Sequence, residues 1–325
     1  MIVPDHWAEA RIQRREGGRQ VTVRRFGWSE FSMQDAELMA HQRAEAALQQ
    51  ALSGHPLSRR EPKRAYNGAE GVPIREEVLK RCGPEVISRN SYGAHCLNSP
   101  RVLFADVDFD LSMPRSWLLG VWGLAFALCL VGGNLTQRWA LCIAALVFGG
   151  LMLVWLTQKA HAAYARREGA AEAARGRLNT FLRGHPEWRV RTYKTPAGLR
   201  YLVVHACFSP LSDKVAKFFQ AVGADPLYVR MCQRQRCFRA RLTGKPWRMG
   251  IEHRLRPRPG IWPVASERLA LRQRWVDVYE RTAERFSACH FVEEQGEGRT
   301  TSELEEVVRL HDEACRALRF DLPLA

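Results

Sequence analysis

Several things are missing from this 325-residue sequence, and each absence narrows the reading. No internal period of solenoid length, heptad or collagen-like repeat appears, which sets aside repeat arrays, coiled coils and fibres. No even cysteine framework appears either. Nine cysteines are scattered at positions 82, 96, 129, 142, 207, 232, 237, 289 and 315, two of them inside apolar runs, so a disulfide-stapled secreted scaffold is not expected. The first residues, MIVPDHWAEARIQRRE, lack the apolar core of a signal peptide. Tight, paired Cys/His spacing is also absent. Cys232 and Cys237 have four residues between them and Cys289-His290 lies far downstream, so the spacing suggests no zinc site. His95-Cys96 has no visible oxyanion element to make it a nucleophile pair. What remains is globular in composition, with 46% hydrophobic and 26% charged residues.

The mean hydropathy of -0.30 suggests a water-soluble chain, but the apolar residues are unevenly placed. Ser116 to Gln137 is a charge-free stretch containing WLLGVWGLAFALCLVGG, and Trp139 to Gln158 is a second, WALCIAALVFGGLMLVWLTQ. A helix needs roughly 17–25 apolar residues to cross a ~30 Å hydrocarbon core, and each run meets that length. Trp117, Trp139 and Trp155 lie near the ends, where amphipathic rings favour the membrane interface. With only Asn134 to Arg138 between them, the two runs predict an antiparallel transmembrane hairpin. Arg115 precedes it and Lys159, Arg166, Arg167, Arg175 and Arg177 follow, whereas the connector carries Arg138 alone. The positive-inside rule then puts both termini in the cytoplasm, making a multi-pass protein of the inner (plasma) membrane. Unpaired cysteines agree with that compartment.

The net charge of +15 is concentrated after the hairpin. Residues 1–115 hold 17 Lys/Arg against 15 Asp/Glu, whereas residues 159–325 hold 31 against 19. Within 227–258 there are ten basic residues and one acid, Glu252, with Tyr228, Phe238 and Trp247 interleaved. Two readings stay open for this run. One is a juxtamembrane surface facing anionic lipid headgroups. The other is a phosphate-binding groove for nucleotide or nucleic acid.

Periodicity places the remaining elements. Gln20 to Phe26 alternates as a strand, and Ser32 to Leu52 reads as a helix with Ser32 as N-cap and Gly54 as stop. Ile74 to Arg81 reads as a short helix ended by Gly83-Pro84. Ser88 to Pro100 reads as a polar loop whose Asn90, Tyr92, His95 and Asn98 could line a cleft. Arg101 to Asp110, RVLFADVDFD, is strongly β-like. Its Asp106, Asp108 and Asp110 recur at every second residue, which puts three carboxylates on one face of a strand. Aspartate is disfavoured in strands and like charges repel, so a divalent cation with oxygen ligands, Mg²⁺ or Mn²⁺, is the expected compensation. After the hairpin come a helix over Lys159 to Arg183, strands over Trp188 to Thr195 and Leu199 to Ala206, a helix over Ser212 to Val222, and a strand over Cys237 to Thr243. Counted from the acidic strand, the order is β-α-β-β-α-β, a ferredoxin/RRM-like α+β arrangement interrupted after its first strand. Two further helices, Ser266 to Phe286 and Thr301 to Leu318, follow.

An acidic D-x-D closing a buried strand, followed by a hairpin of small residues, resembles the catalytic palm of archaeo-eukaryotic primase-type nucleotidyltransferases. LFADVDFD resembles that family's metal-holding motif, carrying over Asp106 and Asp108 as catalytic and metal-binding residues. KTPAGLRYLVVH resembles the region that contacts nucleotide phosphate. Arg200 stands where the family has His, while His205 lies at the far end of the strand, and Asp225 is a candidate third acid. The resemblance covers residues 101–245, less the hairpin. It implies metal-dependent handling of nucleotides. Independently, Lys194, Arg200, Arg239 and Arg241 are cations that could clamp phosphate oxygens through charge-assisted bonds. His205, in an apolar strand, reads equally as a satisfied core histidine.

The expected organisation is an N-terminal segment over 1–115, a membrane hairpin over 116–158, the rest of the α+β domain over 159–260, and a helical segment over 261–325. Its expected function is that of a membrane-tethered, divalent-metal-dependent nucleotide- or phosphate-handling protein. The competing reading is a non-enzymatic adaptor whose basic face binds anionic lipid or an acidic partner.

Overall fold

A computed structural model describes residues 4–16, 18–54, 72–109, 115–166, 169–258 and 260–325, and shows a mixed α+β chain. At the N-terminus, β1 (His6–Glu16) and β2 (Arg19–Ser29) form an antiparallel ribbon. Helix α1 (Met33–Leu52) packs on this ribbon through Ala36, Ala40, Ala44 and Ala47. The small side chains let the backbones come close: a Cβ on Gly27 would lie 2.1 Å from the Ala36 carbonyl oxygen. Ser32 caps the helix as expected, its Oγ accepting from the Asp35 amide at 3.0 Å.

The next segment departs from expectation. Residues read as a short helix over 74–81 instead form β3 (Glu77–Cys82), which turns at Gly83 (φ +60) into β4 (Glu85–Arg89). The stretch read as a polar loop contributes the end of β4 and all of β5 (His95–Ser99). Its polar residues form the turn between them, where Asn90 Oδ1 accepts from the amides of Tyr92 (3.2 Å) and Ala94 (3.0 Å). Because both faces of β4 and most of β5 are buried, no alternation marks them as strands.

The acidic segment is β6 (Phe104–Asp108), after which α2 (Arg115–Thr136) and α3 (Trp139–Arg166) interrupt the domain. Only Gln137 and Arg138 separate the two helices, and they pack together at small residues. A Cβ on Gly150 would meet the Trp122 ring at 2.7 Å. Among the described residues one helix is long and apolar enough to cross a membrane, the 22-residue stretch Trp139–Ala160 of α3. In α2 the described apolar stretch is the shorter Trp122–Thr136. Large apolar side chains of both helices, Phe126 and Phe148 among them, are exposed.

Helix α4 (Gly169–Arg183) leads back to the hairpin of β7 (Val190–Lys194) and β8 (Gly198–Val203). Then come α5 (Asp213–Val222), α6 (Pro226–Gln235), β9 (Phe238–Arg241), α7 (Leu269–Ala283), β10 (His290–Gln295) and α8 (Ser302–Cys315). Helix α5 begins at Ser212 and ends on Gly223 in the left-handed region, both as anticipated.

Two four-stranded antiparallel sheets result, ordered β10-β7-β8-β6 and β3-β4-β5-β9. In the first, β8 lies between β6 and β7 and antiparallel to both, as a split β-α-β unit requires. The expected fourth strand of that unit does not join it: β9 pairs with β5 in the second sheet, and β10, not anticipated, adds to β7 instead. The main core lies against the first sheet, where Leu178, Phe181, Trp188, Phe218 and Tyr201 are buried together.

Candidate functional site

The functional question turns on β6, where the two sheets meet. Ala105 and Val107 are buried on one face of the strand, and Asp106 and Asp108 share the other face with buried Phe104. Register then treats the two carboxylates differently. Asp106 lies opposite Arg200 and Asp108 opposite Gly198. Arg200 binds Asp106 through both oxygens, Nε to Oδ1 at 2.7 Å and a terminal nitrogen to Oδ2 at 3.2 Å. Gly198 offers Asp108 nothing, and no other residue fits there, since a Cβ would lie 2.0 Å from the Val107 carbonyl oxygen. Burial, together with the carboxylates of Asp106 and Asp225, pushes the Asp108 carboxyl above the usual range.

Both aspartates open onto a cleft of about 600 Å³. Asp225 joins them from the start of α6. Its carboxylate caps that helix by accepting from the amides of Leu227 and Tyr228, each at 3.2 Å, and its own amide donates to the Asp106 carbonyl at 2.9 Å. Tyr228 Oη donates to the Phe104 carbonyl at 2.9 Å, so α6 is tied to the acidic strand at two points. The candidate third acid is therefore beside the D-x-D pair.

Apart from Glu76, the rest of the charged lining is cationic. Arg239, Arg241, Lys245 and Arg248 line the cleft, with Asn90, Ser91 and Tyr92 from the turn between β4 and β5. Arg239 is neutralised: one of its terminal nitrogens donates to both oxygens of buried Glu76, at 2.7 and 2.6 Å, and Ser88 Oγ donates to the same carboxylate. Arg241 donates to the carbonyls of Thr243 and Ala325, at 2.8 and 3.1 Å. Among the described residues Arg241, Lys245 and Arg248 form no salt bridge. Burial and the crowding of neighbouring cations push both Lys245 and Arg248 below their ordinary pKa values. At the rim the Tyr92 and Trp247 rings meet edge-on, 5.4 Å between centroids. Burial pushes the Tyr92 phenol up to about 12.

Of the residues proposed from sequence, Asp106, Asp108, Arg200, Arg239 and Arg241 line this one cleft, although Arg239 is sealed by its own acid. Two others do not reach it. Lys194 sits at the exposed end of β7. His205 accepts from the Arg189 amide through Nδ1 at 3.2 Å and packs against Trp188 and Phe208, so it is the satisfied histidine of the two readings. Asp110 lies outside the described residues. From the polar segment Asn90 and Tyr92 line the cleft, whereas His95 pairs with Glu280 at 2.8 Å and Asn98 donates to Val86 and Ser88. Glu76 escaped notice because its partner Arg239 lies 163 residues away.

The donor set suits a hard divalent cation. Asp106, Asp108 and Asp225 offer only carboxylate oxygens, although the three are not drawn closely enough together to share one ion as they stand. A carboxylate held by an arginine fork still keeps about two of its four lone-pair sites. No family model, no curated protein and no solved structure matches the chain.

Proposed function

We propose that the protein is membrane-tethered and that this cleft binds a nucleotide or similar polyphosphate together with Mg²⁺ or Mn²⁺, in the manner of a nucleotidyltransferase palm. The observation that carries the reading is the meeting in one cleft of Asp106, Asp108 and Asp225 with Arg241, Lys245 and Arg248, cations that form no salt bridge among the described residues. Asp108 and Asp225, with the remaining lone pairs of Asp106, would close on the ion as it binds, and its charge would offset that of the phosphates. Arg241, Lys245 and Arg248 would take phosphate oxygens, relieving their mutual repulsion. Trp247 and Tyr92 at the rim offer aromatic faces to a base. Arg200 positions Asp106 and, on the resemblance to the primase-type family, would stand where that family has histidine.

Placement relative to a bilayer follows from chain length. Six residues separate Asp108 from Arg115, the first residue of α2, and span at most about 25 Å fully extended. With α2 and α3 crossing the inner membrane as a hairpin and both termini cytoplasmic, the cleft would open close to the cytoplasmic surface.

Thermal unfolding of the full chain in detergent with Mn²⁺ and a nucleoside triphosphate tests the reading. Joint stabilisation that neither ligand gives alone, and that Asp108→Asn removes, is expected. Equal stabilisation of the variant, or none of the native chain, contradicts it.

A second reading has its own support. Of the ten basic residues over 227–258, Arg230, Arg234, Arg236, Arg254, Arg256 and Arg258 are exposed outside the cleft. They supply a surface for anionic lipid headgroups, each worth about 1 kcal/mol near a charged bilayer. Binding of the soluble part to anionic but not neutral vesicles is the expected result.

A further inference from the structure

Behind Arg200, on the side away from the cleft, three soft donors converge. Cys289, His311 and Cys315 are fully buried, and Sγ, imidazole nitrogen and Sγ all lie within 4.8 Å of one another. Among the described residues this is the single group of three or more Cys, His, Asp or Glu side chains gathered closely enough to share one ion. His311 and Cys315 are four residues apart on α8, hence on one helical face. Cys289 reaches them from the start of β10, where the Ala288 amide donates to the Cys315 carbonyl at 3.0 Å.

We infer that Cys289 Sγ, His311 Nε2 and Cys315 Sγ form a binding site for a thiophilic divalent cation, Zn²⁺. The decisive feature is how the imidazole is held. Its Nδ1 lies 3.0 Å from Asp312 Oδ1, and Asp312 is itself anchored by an Arg191 nitrogen at 2.9 Å. A carboxylate on the far ring nitrogen fixes the tautomer and presents Nε2 as a ligand, the usual outer-shell arrangement at zinc. Two thiolates and a neutral imidazole carry a charge of −2, which Zn²⁺ cancels as the thiol protons leave. Hydrophobic packing accounts for buried cysteines but not for a fully buried imidazole aimed at them. A Cys289–Cys315 disulfide would likewise leave His311 and its carboxylate without a task.

Nε2 also lies 3.4 Å from an Arg200 terminal nitrogen. An ion there would displace that contact, and the same nitrogen keeps its 2.8 Å bond to the Arg241 carbonyl. That carbonyl, 3.6 Å from Cys315 Sγ, or a water would complete a tetrahedral ion. The site would thus brace the arginine that holds Asp106, without depending on what the cleft binds.

Metal analysis by mass spectrometry of the full chain, purified in detergent without chelators, tests the inference. About one zinc per chain is expected, as in a structural site. It should be lost in Cys289→Ser and Cys315→Ser and kept in Cys207→Ser, whose cysteine is exposed. Should the buried variants fold poorly, the native chain reconstituted with Co²⁺ is to show a sulfur-to-cobalt charge-transfer band. A native chain that stays metal-free after dialysis against zinc, shows no such band, or carries a Cys289–Cys315 disulfide overturns the assignment. So does zinc retained by both serine variants.

Discussion

The floor and the lip of the cleft are built from the same residue types and put them to opposite uses. On the floor every buried guanidinium has its own carboxylate: Arg200 has Asp106, across one rung of the sheet, and Arg239 has Glu76. At the lip Asp108 faces a glycine, and Arg241, Lys245 and Arg248 crowd together with no salt bridge among the described residues, Asp108 attracting Lys245 and Arg248 only from a distance. Buried charge must be paired to be tolerated, so the floor pairs hold structure. Charge left without a direct partner costs stability, and such charge is where an incoming ion and its phosphates would find compensation. The difference separates the arginines that shape the cleft from those available to a ligand.

The strongest way to break this comparison is at the floor. Arg239→Met should destabilise the protein by about 3–5 kcal/mol, since it leaves Glu76 buried without its cation, and Glu76→Leu added to it should recover much of the loss. Chemical denaturation checks both, and a single variant as stable as the native chain would remove Arg239 from the structural class. At the lip, Arg241→Ala should leave folding nearly intact but weaken nucleotide binding about tenfold or more, the contribution of a hydrogen bond to a charged group. Calorimetric titration measures it, and unchanged affinity would place the phosphates elsewhere.

A smaller effect concerns Asp108. Its carboxyl is raised above the unfolded value by burial and by two neighbouring carboxylates. The folded state therefore favours the protonated form, a stabilisation present at low pH and lost as the pH climbs through the folded pKa. Near neutrality the ionised group costs stability. Asp108→Asn should accordingly raise Tm in metal-free buffer near neutral pH, with the gain shrinking on acidification below the ordinary aspartate range. A lowered Tm at neutrality would mean that Asp108 already has a partner. The smallest expected change is none. Replacing 116–158 by a Gly/Ser linker should leave nucleotide affinity as it was, because no described side chain of that segment lines the cleft. Loss of folding would make the hairpin part of the core.

How much of this could be read from the sequence depends on the range of the interactions involved. Helix α1, the β7–β8 hairpin and α5 were legible because their signals are local: an N-cap serine, a turn glycine, an amphipathic period. The acidic pair was legible because alternation along one strand places both carboxylates on one face. Strands β3, β4 and β5 were not, since a strand buried on both faces has no alternation to betray it and is selected by partners distant in the chain. The same reason hid the fate of β9, whose residues alternate as a strand but do not declare which sheet edge they will join. The Arg200–Asp106 pair depends on register between strands 94 residues apart, and the His311 cluster on a helix packing beneath them. His205 shows the reverse error: a chemically suggestive residue in a legible strand, turned toward Trp188 instead of the cleft.

The central claim is that Asp108, not the arginine-sealed Asp106, is the principal anchor of a divalent ion that arrives with a nucleotide. Crystals grown with Mn²⁺ and a non-hydrolysable nucleoside triphosphate test it by anomalous scattering at the manganese edge. The account predicts a peak within bonding distance of an Asp108 carboxylate oxygen, with the phosphates lying toward Arg241, Lys245 and Arg248. A nucleotide bound with no manganese at Asp108, or manganese at Asp106 after Arg200 has swung away, would contradict it.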